Sequence, residues 1–332
     1  MSANGLSRRQ VLAGLTSLGA GLGQIRAGWA APTTFPQRTV RIVVPYSVGI
    51  GPDVVARSVA EKLALKWGQT VLVDNKPGAS GIVAFNDVRQ TAPDGHTIYL
   101  ADTATMAVNP LLHATLPYDP VRDLVPLTLL FRATFLVWVG GQSRFRSIAA
   151  LLEAARGAPE RVSYGTLGNG HASHVAIETL ARAAGVRMLH IPFKDAGTLF
   201  TAVASGDVDM TAFGMNSVAG LMARGNLRPL AVAARQRLAS HPDIPTLAEA
   251  GGPPVEMHPW AALVAVTGTP PAVLDQLQQD IVAAMAVPEV KARAEQAGFE
   301  LTPSTPQGLR DRVAADLALV TPLVNEGRIA RM

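Results

Sequence analysis

The sequence predicts an α/β protein of two doubly wound domains joined by a hinge, and three observations predict it. From residue 39 onward, short β-branched runs alternate with stretches of helical periodicity, the rhythm of a mainly parallel sheet with helices on both faces. Two glycine-bearing corners of the same design, one in each half, lead from a strand into a helix. Between the halves, "LVPLTLLFRATFLVWVG" is an almost unbroken apolar run, suited to a long buried strand or pair of strands passing from one sheet to another.

Residues 1–30 stand apart. Arg8 and Arg9 precede a moderately apolar, glycine-rich run, the layout of a twin-arginine export signal. Small residues at Gly28 and Ala30 offer a cleavage site before Ala31, and the apolar run is shorter than the roughly 20 residues a bilayer requires. The expectation is a signal peptide over 1–30 and a mature protein in the bacterial periplasm. Losing Arg8, Arg9 and Arg26 lowers the formal net charge from +4 to +1, so the basic balance belongs largely to the leader. A nearly neutral chain with 5% aromatic residues lacks the electrostatic footprint of a nucleic-acid binder. Cysteine is absent, which excludes disulfides, thiolate metal sites and a cysteine nucleophile. With 332 residues, 48% of them hydrophobic, the chain can bury one large core or two medium ones.

In order along the chain, "TVRIVVP" reads as a strand, Val55, Val59, Leu63 and Trp67 mark a helix at four-residue spacing, and "QTVLVDN" is the next strand. "GIVAFNDVRQTA" follows as a helix, then the turn at Pro93 to Gly95 and the strand "TIYLA". The second half opens with the helix "RSIAALLEAARG", the strand "RVSYGT" and the helix "HVAIETLARAAG", whose Ile177, Leu180, Ala181 and Ala184 share a face and which Gly185 ends. "RMLHIPF", "GTLFTAVASG", "VDMTAF" and "RPLAVAA" supply further pieces. "PWAALVAVTG" is strand-like, and three last helices each open at a proline. The crossings near 130–140 and 255–262 divide the chain into one domain of residues 31–136 plus 258–332 and another of 137–257.

The first corner runs from Val44 to Asp53. It lacks the third glycine of a dinucleotide fingerprint, because Val54 stands there, and no P-loop Gly-Lys-Ser/Thr occurs. "GASG" at Gly78 to Gly81 lacks the spacing of a nucleophile elbow. What remains is the start of a helix near Pro52 and Asp53, flexible glycines and the Ser47 hydroxyl, together a seat for a carboxylate or other small anion. "SYGTLGNGHASHVAIE" repeats the device: Gly165, Gly168 and Gly170 bracket Thr166 and Asn169, and a helix starts near Ala172 with Ser173 in its first turn. Two such seats facing across a cleft could grip one small diacid. The loops Ala101 to Pro110 and Ile191 to Thr198 add Thr103, Thr105, Lys194 and Thr198 as donors. His171, His174 and Glu178 have zinc-compatible spacing, but no fourth ligand is evident, and no cofactor is implied.

With these stretches in order, the chain resembles the substrate-binding proteins of tripartite tricarboxylate transporters, the Bug family. The stretches carrying the resemblance include "RIVVPYSVGIGPDVVAR", "GQTVLVDNKPGASG", "YGTLGNGHASHVAIE" and "HPDIPTLAEAG", spread over about residues 35–328. The resemblance implies a periplasmic-binding-protein-like flytrap that holds a small carboxylate without a cofactor and passes it to a two-subunit membrane permease. It also implies a monomer that binds no nucleic acid. Its ligand contacts carry over to Tyr46, Ser47, Gly49 and Asp53, to Thr166, Gly168, Asn169 and His174, and to Thr103, Thr105, Phe193, Asp195 and Ala196. Two departures stand out: Ile50 replaces the second of a glycine pair, and Asp195 stands where the family often has glycine. Asp102 and Asp195 could then meet a ligand amine. An exported α/β enzyme acting on a small organic acid, and a solute sensor for a membrane signalling partner, are the alternatives.

Overall fold

A computed structural model describes residues 35–332; the segment read as a signal peptide lies outside the described residues. Arg38–Met332 form one compact unit containing two sheets.

The first sheet begins with β1 (Val40–Val44), which enters helix α1 (Gly51–Trp67) through the first corner. Val55, Val59 and Leu63 of α1 are fully buried, the four-residue spacing having placed them on one face. Gly68, left-handed at φ 62°, ends the helix by donating its N–H to the Ala64 carbonyl. Strand β2 (Val71–Asn75), helix α2 (Ile82–Val88) and β3 (Thr97–Asp102) follow, then β4 (Leu124–Arg132). The apolar run thus divides into β4 and β5 (Phe135–Gly140), which belong to different sheets.

Helix α3 (Ile148–Gly157), β6 (Ser163–Thr166), helix α4 (Ala172–Ala183), β7 (Leu189–Pro192), helix α5 (Ala196–Ser205), β8 (Met210–Gly214), helix α6 (Met215–Ala223) and β9 (Leu227–Val232) build the second lobe. The chain returns through β10 (Trp260–Val266) to the first sheet. It ends with helices α7 (Pro271–Met285) and α8 (Pro288–Gln296), the short β11 (Glu300–Leu301) and helix α9 (Pro306–Asn325), each of the three helices opening at its proline.

The strand orders are β11-β4-β10-β3-β1-β2 and β7-β6-β8-β5-β9. The expectation of mainly parallel sheets is corrected here, because both are mixed. Strand β1 pairs parallel with β2 and β3, and β6 with β7 and β8. In contrast, β10 runs antiparallel to β3 and β4, and β5 antiparallel to β8 and β9. The strands that carry the chain from one lobe to the other arrive without a crossover helix, so nothing holds them to the parallel direction. The two crossing segments are tied to each other: Ala133 N–H donates to the Pro259 carbonyl at 2.8 Å and Phe135 N–H to that of Met257 at 3.1 Å.

Candidate functional site

Each lobe presents the carboxyl ends of two adjacent parallel strands, β1 and β3 in one and β6 and β8 in the other, where open α/β sheets bind ligands. Helices α4 and α6 start from the second pair. Two adjoining cavities of about 190 Å³ and 180 Å³ lie there, and both are lined by Tyr46, His171, Ala172, Pro259 and Trp260. Tyr46 comes from the first lobe and Ala172 from the second, so this is a cleft between lobes.

The first corner is organised around Asp53. Its carboxylate is 1% exposed and accepts from Gly49 N–H at 2.8 Å, Arg57 Nε at 2.9 Å and Asn75 Nδ2 at 2.8 Å. Burial alone would raise this carboxyl, but those three donors outweigh it and hold it below its ordinary value. The charge at the start of α1 is therefore answered from within. Pro52 and Tyr46 are the parts of this corner that line the cavity.

Tyr46 donates its phenolic hydrogen to Asp102 Oδ2 at 2.5 Å, and Thr105 gives its backbone N–H and its hydroxyl to Asp102 Oδ1, both at 2.8 Å. Burial and then the Asp102 carboxylate push the Tyr46 phenol well up, so it remains protonated. With both carboxylate oxygens engaged, Asp102 acts to fix Tyr46 and the following π-helical turn, Ala104–Val108. Opposite them runs Gly78–Ala79–Ser80–Gly81, four consecutive residues with positive φ (133°, 47°, 49° and 88°). Such strain persists where the surroundings over-determine it, and it clusters at ligand sites. The Ser80 carbonyl accepts from Asn109 Nδ2 at 2.9 Å. A Cβ on Gly81 would come within 2.6 Å of Thr105 Oγ1, so glycine is required there for space as well as dihedral angle.

The second corner keeps its helix start in the cleft. His171 caps α4 by accepting Ser173 N–H on Nδ1 at 3.2 Å. Burial pushes its imidazole down to about 4, so near neutral pH it is uncharged, with its proton assigned to Nε2 by the bond at Nδ1. The first N–H groups of a helix have no partner inside it, and the Ala172 amide opens α4 at the wall shared by both cavities. Helix α6 contributes Asn216 and Ser217 to the first cavity. Trp260 forms the back wall, its indole N–H held by Asp316 at 2.5 Å. The linings hold aromatic, small and neutral polar residues with the Asp102 carboxylate, and neither lysine nor arginine.

Of the residues expected at the site, Tyr46 and Thr103 line the cavities. Thr105, Thr166 and His174 are buried beneath them: Thr166 Oγ1 pairs with His190 Nε2 at 2.6 Å, and His174 Nδ1 accepts from Gly170 N–H at 3.2 Å. Gly168, at φ 114°, shapes the loop before α4 and donates its N–H to Thr166 Oγ1. Ser47 and Gly49 are exposed on the corner and contribute to neither lining. Four further expected residues contribute to neither lining and have partners of their own. Asn169 donates to the Ala330 carbonyl at 2.7 Å. Asp195 is the N-cap of α5, accepting from Thr198 N–H at 2.9 Å on an exposed surface. Phe193 and Ala196 pack against the Leu199–Phe200 cluster. Among the described residues no group of three or more His, Cys, Asp or Glu is placed to hold a metal ion.

The spacing of the corners does not reveal Phe131, Phe135, Phe213, Trp260 or Phe299, which reach the cleft from the crossing strands, from the end of β8 and from the turn after α8. His171 was legible as the residue before α4, whereas the "GASG" string reads in the sequence only as lacking the spacing of a nucleophile elbow.

A hinged pair of α/β lobes with a cavity enclosed by strand ends is the construction of a solute receptor. The sequence matches the tripartite tricarboxylate transporter family receptor over residues 55–328, and the chain belongs to that family. It is 33% identical to the UPF0065 protein in the tcbD-tcbE intergenic region of Pseudomonas sp. (strain P51), over 98% of this chain and 96% of that one. Among solved structures, R. palustris Rpa4515 with adipate is similar at 29% identity and a TM-score of 0.79, covering 90% of this chain and 100% of that one. MatC from Rhodopseudomonas palustris with bound malate is similar at 27% identity and a TM-score of 0.75, with coverage of 87% and 99%.

Proposed function

We propose that this protein is a periplasmic receptor that captures a small carboxylate between its lobes and delivers it to a two-subunit membrane permease of the tripartite tricarboxylate type. The observation that carries this reading is the Ala172 amide at the start of α4, on the wall common to both cavities, where a carboxylate can accept from helix N–H groups. The similar proteins holding adipate and malate support it. Residues 31–136 with 258–332 would move against 137–257 about the paired crossing segments, a hinge closure whose output is conformational rather than chemical. Export by the twin-arginine leader, a monomeric state and the absence of catalysis and cofactor complete the reading. Tyr46, Thr103 and the Ala172 amide would touch the ligand, while Asp53, Thr105, Thr166, Gly168 and His174 would hold the walls.

The test is native mass spectrometry of the mature chain followed by thermal-shift screening against mono-, di- and tricarboxylates. A ligand at 100 times its Kd adds about 2.7 kcal/mol of stability, so one acid class should raise Tm without being consumed. Turnover, or no shift with any acid, would contradict the receptor reading.

A further inference from the structure

Aromatic residues make up 5% of the chain, yet Tyr46, Phe131, Phe135, Phe213, Trp260 and Phe299 line one cavity of about 190 Å³. They arrive from both sides. Phe131 and Phe299, on the first sheet and the turn leading to it, have ring centroids 4.2 Å apart; Phe135 and Phe213, neighbours in the second sheet, stack at 5.8 Å with 28° between their planes. The His171 imidazole continues that second wall, 6.1 Å from the Phe213 ring and also at 28°. Gly51 admits this arrangement, because a Cβ there would lie 2.4 Å from the Phe299 ring.

Resting on the receptor reading above, we infer that the carboxylate this protein takes has an aromatic ring as its body, with the ring between the two phenylalanine walls and the carboxylate at the start of α4. Size permits it: an apolar cavity of about 150 Å³ admits benzene, and the cavity here also has room for the acid group. Energetics favour it. No lysine or arginine lines these two cavities; Arg132 and Lys291 line a further cavity that shares Asn216, Gly298 and Phe299 with the first. An anion at the start of α4 is therefore held by neutral donors, and a large share of the affinity must come from the ligand's apolar body. A flat ring gains offset and edge contacts with phenylalanine that an open chain lacks, whereas a hydroxyl pressed against those rings would lose its hydrogen bonds to water without replacement.

The inference is tested by calorimetric titration of the mature protein with two pairs of acids matched in charge, benzoate against hexanoate and terephthalate against adipate. The ring acid should bind at least about tenfold more tightly in both pairs. Phe299→Leu should weaken the ring acids about fivefold more than it weakens the open-chain acids. An open-chain acid binding as tightly as its ring partner in either pair would overturn the inference while leaving the receptor reading intact. If none of the four acids binds while another carboxylate raises Tm in the thermal-shift screen, the inference is overturned and the receptor reading stands; only the absence of a shift with every acid of that screen overturns both.

Discussion

The Asp53 carboxylate turns back to accept the Gly49 N–H at 2.8 Å, four residues upstream, and so closes the first corner on itself. A residue whose position suggested ligand contact is thereby a brace, joined also to Arg57 and Asn75. Asp53→Ala would strip three donors of their partner and is expected to cost about 2–3 kcal/mol, read by denaturant unfolding. Its folded carboxyl is held below the unfolded value of about 3.9, so its stabilisation is present above that pH and is lost as pH falls through the folded value. Asp53→Asn should show a shallower loss of stability below about pH 4 than the native chain.

His174 and His190 stack with ring centroids 3.8 Å apart, and burial, followed by the neighbouring His190 and His171, pushes His174 down to about 3. His190 is also lowered by burial. An imidazole kept neutral in the fold binds its proton more readily once unfolded. Stability is therefore full above the unfolded value of about 6.5 and declines as pH falls from there toward about 3. One such imidazole removes about 2–3 kcal/mol between pH 7 and pH 4.5. Unfolding free energies measured at those two pH values should differ by less in His174→Asn than in the native chain.

Arg328, beyond the end of α9, reaches Glu178 of α4 at 3.0 Å, and Tyr164 donates to the same carboxylate at 2.6 Å. The Arg328 and Glu178 side chains are 9% and 6% exposed. Removing one partner of a buried pair leaves an uncompensated charge, so Arg328→Ala is expected to destabilise by about 3–5 kcal/mol. Replacing Arg328 and Glu178 together by apolar residues should cost less than that single change.

The alternation of β-branched and helical stretches made both lobes legible, because each element's periodicity reflects the layer it packs against. The same pattern located the start of α4, where His171 and Ala172 sit. It could not show that β5 and β10 run antiparallel to their neighbours, since strand direction depends on which sheet the chain enters. Nor could it separate Asp195, used up as a cap, from Asp102, which lines the cleft; both follow strands into helical turns. The phenylalanine walls were hidden for a related reason: Phe131 and Phe135 read as ordinary core residues of an apolar run, and only the turn between two sheets exposes their edges to a cavity.

The central claim, that a carboxylate is held at the start of α4 between the lobes, is tested most directly by Ala172→Pro. Proline is accommodated at the first position of a helix, and His171 already has the extended backbone, φ −61° and ψ 153°, that a following proline requires. The substitution therefore deletes one N–H from the cleft wall while sparing the fold. Calorimetric titration of the native chain with its best acid should give saturable one-to-one binding, and Ala172→Pro should weaken it about tenfold, or about 1.4 kcal/mol, at an unchanged Tm. Native-like affinity in the variant would contradict the placement of the carboxylate at this helix.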